Sequence, residues 1–308
     1  MDLLDRALGN GIRVKAWTFD EFYGRNGPFL DGLDARRQAF VGEIPPDFRV
    51  WLDPPRVVRD PAAKSGVRRR TRLVGGRRSS QVRHLRRHSP AFHAQRPQRY
   101  LVKDTQQGAD IWEIQWHTCW RRTQGERLVS RQHTLIVARH VLTDEIKYFL
   151  ANRVPGQPGW NLRALLRVAF GRWPIEACFR EAKEELGFDH YECRGWRCIH
   201  RHLACVILSQ LFCARIRHQF SPAADVLSGE RLTLEQVRRA TSAYLQAIEL
   251  PRPLRLKRYQ RELDEQQYYQ QRNAQAAESH RTARRKRYLE LGIDPDTIKS
   301  CLPHDGDP

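Results

Sequence analysis

Between Pro174 and Leu186 the chain places four glutamates and one lysine in the run PIEACFREAKEEL, with Arg172 just ahead of it. Carboxylates are the side chains that hold hard divalent cations, and a lysine or arginine beside them is what a phosphate oxygen binds. Spacing decides which of the four could share a site. At about 100° per residue, Ile175, Phe179, Ala182 and Leu186 form one stripe to be buried. Glu184 points away from that stripe and Glu181 lies well round the far side, so both read as solvated. Glu176 and Lys183 fall together on one shoulder, and Glu185 stands on the other. The candidates are Glu176 with Lys183, or Glu185 alone, against the plain alternative of a helix carrying solubilising acids.

Another candidate acid is Asp20 in WTFDEFYG. The run before it, GIRVKAWTF (11–19), reads as a strand with Val14, Ala16 and Thr18 on one face. In open α/β sheets, ligand chemistry collects where strands end, which makes Asp20 a site candidate. The same residue suits the N-cap of a following turn, and the two readings weigh equally.

Several elements must position these residues. Pro174 fits a first helical position and Gly187 the stop, which bounds the Glu176 helix. After Asp20 come a Gly-rich loop, a short helix near 28–36 and a second strand, AFVGEI (39–44), a βαβ-like unit. Alternation over 111–116, 133–139 and 146–150, with turns at TQQG and TDE, predicts an antiparallel sheet. Helices follow near 161–170, 174–186 and 198–217. Residues 55–99 are rich in arginine and poor in apolar residues, so their composition predicts a mobile or weakly ordered basic segment. Its His84, His88 and His93 stand at helical spacing that hints at a metal, though in an arginine run histidines more often face phosphates. The tail from about 255 onward is polar, charged and helical in propensity, with Tyr268, Tyr269 and Tyr288 among arginines. It reads as a solvated helix or disordered tail, or as a grip on a DNA backbone.

The 308 residues are enough for one large domain or two ordinary ones, and the formal net charge of +19 favours a polyanionic partner, nucleic acid first. No run of about 18 apolar residues spans a membrane, and the acids in MDLLDRALGNG are unlike a signal peptide, so a cytoplasmic protein is expected. Seven cysteines without a C-x-x-C give no disulfide framework. Cys193, Cys198, His200 and His202 are weak zinc candidates whose spacing fits no common structural site.

The order of these features resembles the DDE transposases of bacterial insertion sequences, specifically the insertion sequence 701 group of the insertion sequence 4 superfamily. Arg172, Glu176 and Lys183 match Arg-x3-Glu-x6-Lys of that family's helix signature, while Ala169 stands where its tyrosine would be. ELGFDHYECRGW after the helix, WTFDEFYGRNGPFLDGLD, FVGEIP, VKDTQQGADIWE, EIKYFLAN and RNAQAAESH also look like segments of the group, so the likeness covers most of the chain.

The resemblance implies an α/β fold: a partial ribonuclease H-like core interrupted by a β-rich insertion, with a helical basic C-terminal tail. The implied parts are 1–54 as the first part of the core, 55–99 as the basic segment, 100–153 as the insertion, 154–220 as the helical part with the catalytic glutamate, and 221–308 as the tail. Catalysis and metal binding fall to Asp20 and Glu176, phosphate contacts to Arg172 and Lys183, and the implied cofactor is Mg²⁺, with Mn²⁺ as substitute. Implied partners are double-stranded DNA (terminal inverted repeats and target), a second copy on DNA, and a separately encoded N-terminal half. The family's first aspartate precedes the strand ending at Asp20, and Asp2, Asp5 and Asp104 are not in its place. The resemblance therefore implies a C-terminal part of a transposase, inactive alone and nucleoid-associated. The alternatives are a non-catalytic DNA-binding remnant or one half of a split enzyme. An RNA-binding protein is disfavoured, since the aromatic strand motifs of RNA modules are missing.

Overall fold

A computed structural model describes residues 1–59, 71–73, 79–123, 129–220 and 232–302. It divides into a sheet unit, Met1–Arg172 with His280–Pro308, and a helical unit, Trp173–Ser279. The architecture is mixed α/β, with a mixed sheet and a helical C-terminal region.

The sheet unit begins with α1 (Asp2–Gly9), α2 (Glu21–Gly24) and α3 (Gly27–Ala35), followed by β1 (Val41–Glu43) and β2 (Arg49–Trp51). Strands β3 (Val57–Arg59) and β4 (Thr71–Leu73) pair only with each other. Then come β5 (Ser80–Gln81), α4 (Val82–His88), α5 (Pro90–Ala94) and the long strands β6 (Gln98–Thr105), β7 (Gly108–Arg121), β8 (His133–His140) and β9 (Ile146–Ala151). The main sheet runs β1-β9-β8-β7, after which β7 continues into β6 along its first half and into β2 and β5 at its end. The antiparallel expectation for 111–116, 133–139 and 146–150 matches this arrangement, as do the turns at Gln106–Gln107 and Thr143–Asp144.

Strand β8 is almost continuously buried, with Leu135–Ala138 as its apolar centre, because the sheet is covered on both faces. Leu135 and Val137 face α1, α3, α4 and α5 through Leu4, Leu30, Val82 and Phe92. Ile136 and Ala138 face Leu165, Leu166 and Ala169 of α6 (Leu162–Phe170). One buried cation ties the first face together: Arg121, at the end of β7, places Nη1 2.6 Å from Asp31 and Nη2 2.8 Å from Asp34. Asn152 donates to Asp34 Oδ1 at 2.8 Å and accepts from the Phe40 N–H at 2.9 Å, so the edge strand β1 is held by the same network.

In the helical unit, α7 (Trp173–Leu186), α8 (Trp196–Phe220) and α9 (Leu234–Ala247) precede α10 (Arg252–Glu290), which runs on into the sheet unit from His280. Within the sheet unit the end of α10 is an anchor and not a free tail. The Tyr288 hydroxyl donates to the Ala109 carbonyl at 3.1 Å and accepts from the Ile111 N–H at 3.2 Å, and β10 (Lys299–Ser300) adds parallel to β6.

The stretch 79–99 also departs from its composition. It folds into α4 and α5, because Val82 and Phe92 supply two fully buried anchors in an otherwise polar run. The arginine-rich stretches 60–70 and 74–78 lie outside the described residues, as do 221–231 of the tail.

Candidate active site

The expected strand 11–19 is reduced to its last three residues. The Trp17 N–H donates to the Ala39 carbonyl at 2.8 Å, the Val41 N–H to Trp17 at 2.9 Å and the Glu43 N–H to Phe19 at 3.0 Å, so Trp17–Phe19 adds parallel to β1. Ile12 and Val14 remain about half-exposed, and among the described residues no strand pairs with them. The inward residues are Trp17 and Phe19, the opposite parity from Val14, Ala16 and Thr18. The Phe19 ring packs against Gly42, where a Cβ would come within 1.9 Å of it. Glycine is therefore required at 42 for the strand that ends in Asp20 to approach the sheet.

Asp20 leaves the sheet at this point, half-buried, and its Oδ1 accepts from the Tyr23 N–H at 3.3 Å as the N-cap of α2. Both readings of Asp20 are thus realised in position: strand end and cap. Parallel pairing brings a further carboxylate to the same end of the sheet, one that sequence reasoning missed. Glu43 is half-buried, 3.9 Å from Lys147, which also lies 3.5 Å from Glu145. Burial raises the Glu43 pKa, with Glu21 and Glu145 adding to the rise, while Lys147 and Arg172 pull against it. Arg172 therefore stands within electrostatic reach of this strand end. The signal in the sequence was the parity of FVGEI against WTFD, readable only once the parallel register is known.

In the helical unit, Glu176 lies in the first turn of α7 and Lys183 two turns on, both exposed and on the same shoulder. Gly187 adopts φ +67° and the Phe188 N–H returns to the Ala182 carbonyl at 3.0 Å, which ends the helix at the expected residue. The start differs by one position, since Trp173 is already helical and Pro174 is second. The buried stripe is also turned from the expected one. Ala182 is buried and Leu186 partly so, but Ile175 and Phe179 are 48% and 49% exposed. Cys178 takes their place towards α8, where Gln210 donates to its carbonyl at 3.1 Å. Glu185, the rival candidate, is bound to Arg238 at 2.8 Å.

Asp20 and Arg172 thus belong to the sheet unit, and Glu176 and Lys183 to the helical unit. The oxygen donors are of the type Mg²⁺ prefers. Among the described residues, however, no three His, Cys, Asp or Glu side chains stand together as a preformed metal site, so the donor type fits and the donor number falls short. The zinc candidates are dispersed as well: His200 Nδ1 bonds the Trp196 carbonyl at 2.9 Å and His202 Nε2 the Gly187 carbonyl at 2.8 Å.

The arginines expected to grip DNA near 281–287 are largely engaged within the chain. Arg281 pairs with Asp104 at 3.4 Å, Arg284 with Asp110 at 3.4 Å, and Arg285 with Asp296 at 2.7 Å. Exposed cations elsewhere, among them Arg83 and Arg87 on α4 and Lys257, Arg258 and Arg261 on α10, carry the positive surface. No helix among the described residues is long and apolar enough to cross a membrane.

Residues 1–123 match the family model described as DDE superfamily endonuclease. The matched stretch contains Asp20 and Glu43 and ends just after β7, before α7. That stretch is similar to the DDE superfamily endonucleases over less than half of the chain. No curated protein matches the chain.

Proposed function

We propose that this chain acts on DNA as a DDE transposase of a bacterial insertion sequence, of the insertion sequence 701 group, with Asp20 and Glu176 as its metal-holding carboxylates. The observation that carries the reading is the place of Asp20, at the end of a segment paired parallel to β1 and inside the stretch that matches the DDE model. On this reading the sheet unit is a partial ribonuclease H-like core, with 100–153 as its insertion, and α7 carries Glu176. Asp20 and Glu176 would hold Mg²⁺, or Mn²⁺ in its place, and the ion would supply the Lewis acidity that activates a water or 3′-hydroxyl nucleophile and stabilises the leaving oxygen. Arg172 and Lys183 hold phosphate oxygens beside the scissile bond. Of the acids near the start, Asp5 lies on α1, in an ion pair with Arg36 at 2.5 Å. The reading also includes a separately encoded half and a second copy of the chain as partners on the DNA, and a nucleoid location in the cytoplasm.

The cap bond from Tyr23 to Asp20 favours a second reading, a non-catalytic DNA-binding remnant. Plasmid nicking and duplex retention separate the two. The chain should bind duplex DNA with a log–log salt slope of about −0.9 per phosphate contact, and should not nick it alone in Mg²⁺ or Mn²⁺. Adding the proposed second half should restore nicking, and Glu176→Gln or Asp20→Asn should then abolish it while retention persists. Salt-independent retention, or nicking indifferent to both substitutions, overturns the transposase reading.

A further inference from the structure

A cavity of about 580 Å³ opens in the sheet unit, beside β2, the segment Leu52–Pro55 and the α4–α5 pair. His84, His88 and His117 stand on its wall together with Asp53. His84 and His88 are four residues apart on α4, so they project from one face, the arrangement by which two helical histidines chelate zinc. Val82 fixes that face by packing into the core.

The two rings have centroids 4.6 Å apart with planes 39° apart. A zinc–nitrogen bond of about 2.0–2.1 Å puts each ring centre roughly 3.2 Å from the ion, and a ligand angle between about 90° and 109° then separates the centres by roughly 4.5–5.2 Å. The observed spacing falls inside that window. No hydrogen bond or ion pair among the described residues occupies a nitrogen of either ring, whereas His93, the third member of the spacing, is spent on the Arg87 carbonyl at 2.8 Å.

His117 gives an independent observation. Its ring stands edge-on to Phe92, the ring centroids 4.4 Å apart. Its Nε2 is buried without a partner among the described residues. Burial also lowers the His117 pKa. A buried polar atom without a partner at a cavity wall calls for one.

We propose that His84 and His88 form an exchangeable chelate for a borderline divalent transition ion such as Zn²⁺, Ni²⁺ or Cu²⁺, with the remaining coordination positions open to water in the cavity. Two chain ligands and open positions agree with the lack of any three-residue cluster among the described residues. Ligand softness separates this site from an oxygen-ligated one: imidazole suits these ions, and Mg²⁺ takes oxygen.

Zn²⁺ titration by calorimetry on the tag-free full chain, in millimolar Mg²⁺, tests it. One site is expected, unaffected by Mg²⁺ and unchanged by Asp20→Asn. It should be at least tenfold weaker in His84→Ala or His88→Ala and absent from the double variant. Both residues are exposed, so the variants should keep the circular dichroism of the parent chain. Pulsed EPR of bound Cu²⁺ should show two coordinated imidazoles in the parent and one in each single variant. Parent-like Zn²⁺ affinity and stoichiometry in the double variant, or a Cu²⁺ spectrum without the two-imidazole signature, overturns the proposal.

Discussion

Leu30, Phe40, Ile44, Ile111, Leu135, Ile136 and Leu150 of the sheet unit are fully buried, whereas Ile207, Leu208, Leu211 and Phe212 of α8 in the helical unit remain about half-exposed. The sheet unit closes an apolar layer on each face of its sheet and adds a buried Arg121–Asp31–Asp34 network. Among the described residues, the helical unit gathers Cys213, Leu234 and Val237 into one small cluster, and ion pairs such as Arg238–Glu185 and Arg217–Glu181 help to join its helices. Helices gain most of their stability from packing an apolar face, so the two units differ in what holds them and not only in secondary structure. The proposed carboxylates are divided along the same line. Asp20 is set by a glycine-dependent approach of strand to sheet, while Glu176 rides on a helix with a lightly buried face.

The largest expected effect tests burial itself. Phe40→Ala removes a fully buried ring shared by Phe19 and the α3 layer and should cost about 3–5 kcal/mol. Leu211→Ala, at 53% exposure, should stay within about 0.5 kcal/mol. Denaturant unfolding with hydrogen exchange resolved by unit would show both. Equal costs would break the comparison.

An intermediate effect comes from acid. Burial alone would raise the Asp34 pKa, but the His133 imidazole, the Asn152 amide and the Arg121 charge more than reverse it, holding the carboxyl at about 2 instead of 3.8. A folded pKa below the unfolded one gives stability that is present above about pH 4 and is lost as pH falls towards 2, of order 2 kcal/mol. The sheet unit should therefore lose stability across that window, and Asp34→Asn should flatten the slope while lowering stability at neutral pH. An unchanged acid slope in Asp34→Asn would remove this network as a source of the difference between the units.

The features legible in the sequence were those carried by local period. Alternation at 111–116, 133–139 and 146–150 marks strands because each residue there meets a neighbour at fixed parity. Gly187 marks the end of α7 because the turn needs its positive φ. Long-range pairings left no such trace. Nothing in GIRVKAWTF says that only Trp17–Phe19 will find a partner, or that Glu43 will lie alongside Asp20. Composition described 79–99 as weakly ordered because two anchors, Val82 and Phe92, carry little weight in an average but decide the packing. Arg281, Arg284 and Arg285 looked like phosphate ligands for the same reason, since their acidic partners lie in β6, β7 and the segment after α10. Glu176 and Asp20 were singled out by spacing and position, yet the turned face of α7 shows that spacing gives a stripe's width and not which shoulder is buried.

The smallest effect sharpens the comparison most, because it asks whether the ion pairs of the helical unit differ in kind from the buried pair of the sheet unit. Arg239 of α9 lies 2.6 Å from Glu262 and 2.9 Å from Glu265 of α10. The hydrogen bond that Arg239 donates to Glu262 raises the Arg239 pKa and lowers the Glu262 pKa. Both side chains keep contact with solvent, at 20% and 22% exposure, while Arg121 keeps almost none, at 1%. Screening therefore reaches one pair and not the other. A double-mutant cycle on Arg239→Ala and Glu262→Ala should give a coupling of about 1 kcal/mol or less, shrinking as salt rises from roughly 0.05 to 0.5 M. The Arg121–Asp34 coupling, measured the same way, should hold nearly constant over that range. A salt-insensitive Arg239–Glu262 coupling would mean that the α9–α10 seam is dry, and the helical unit would then be held by the same physics as the sheet.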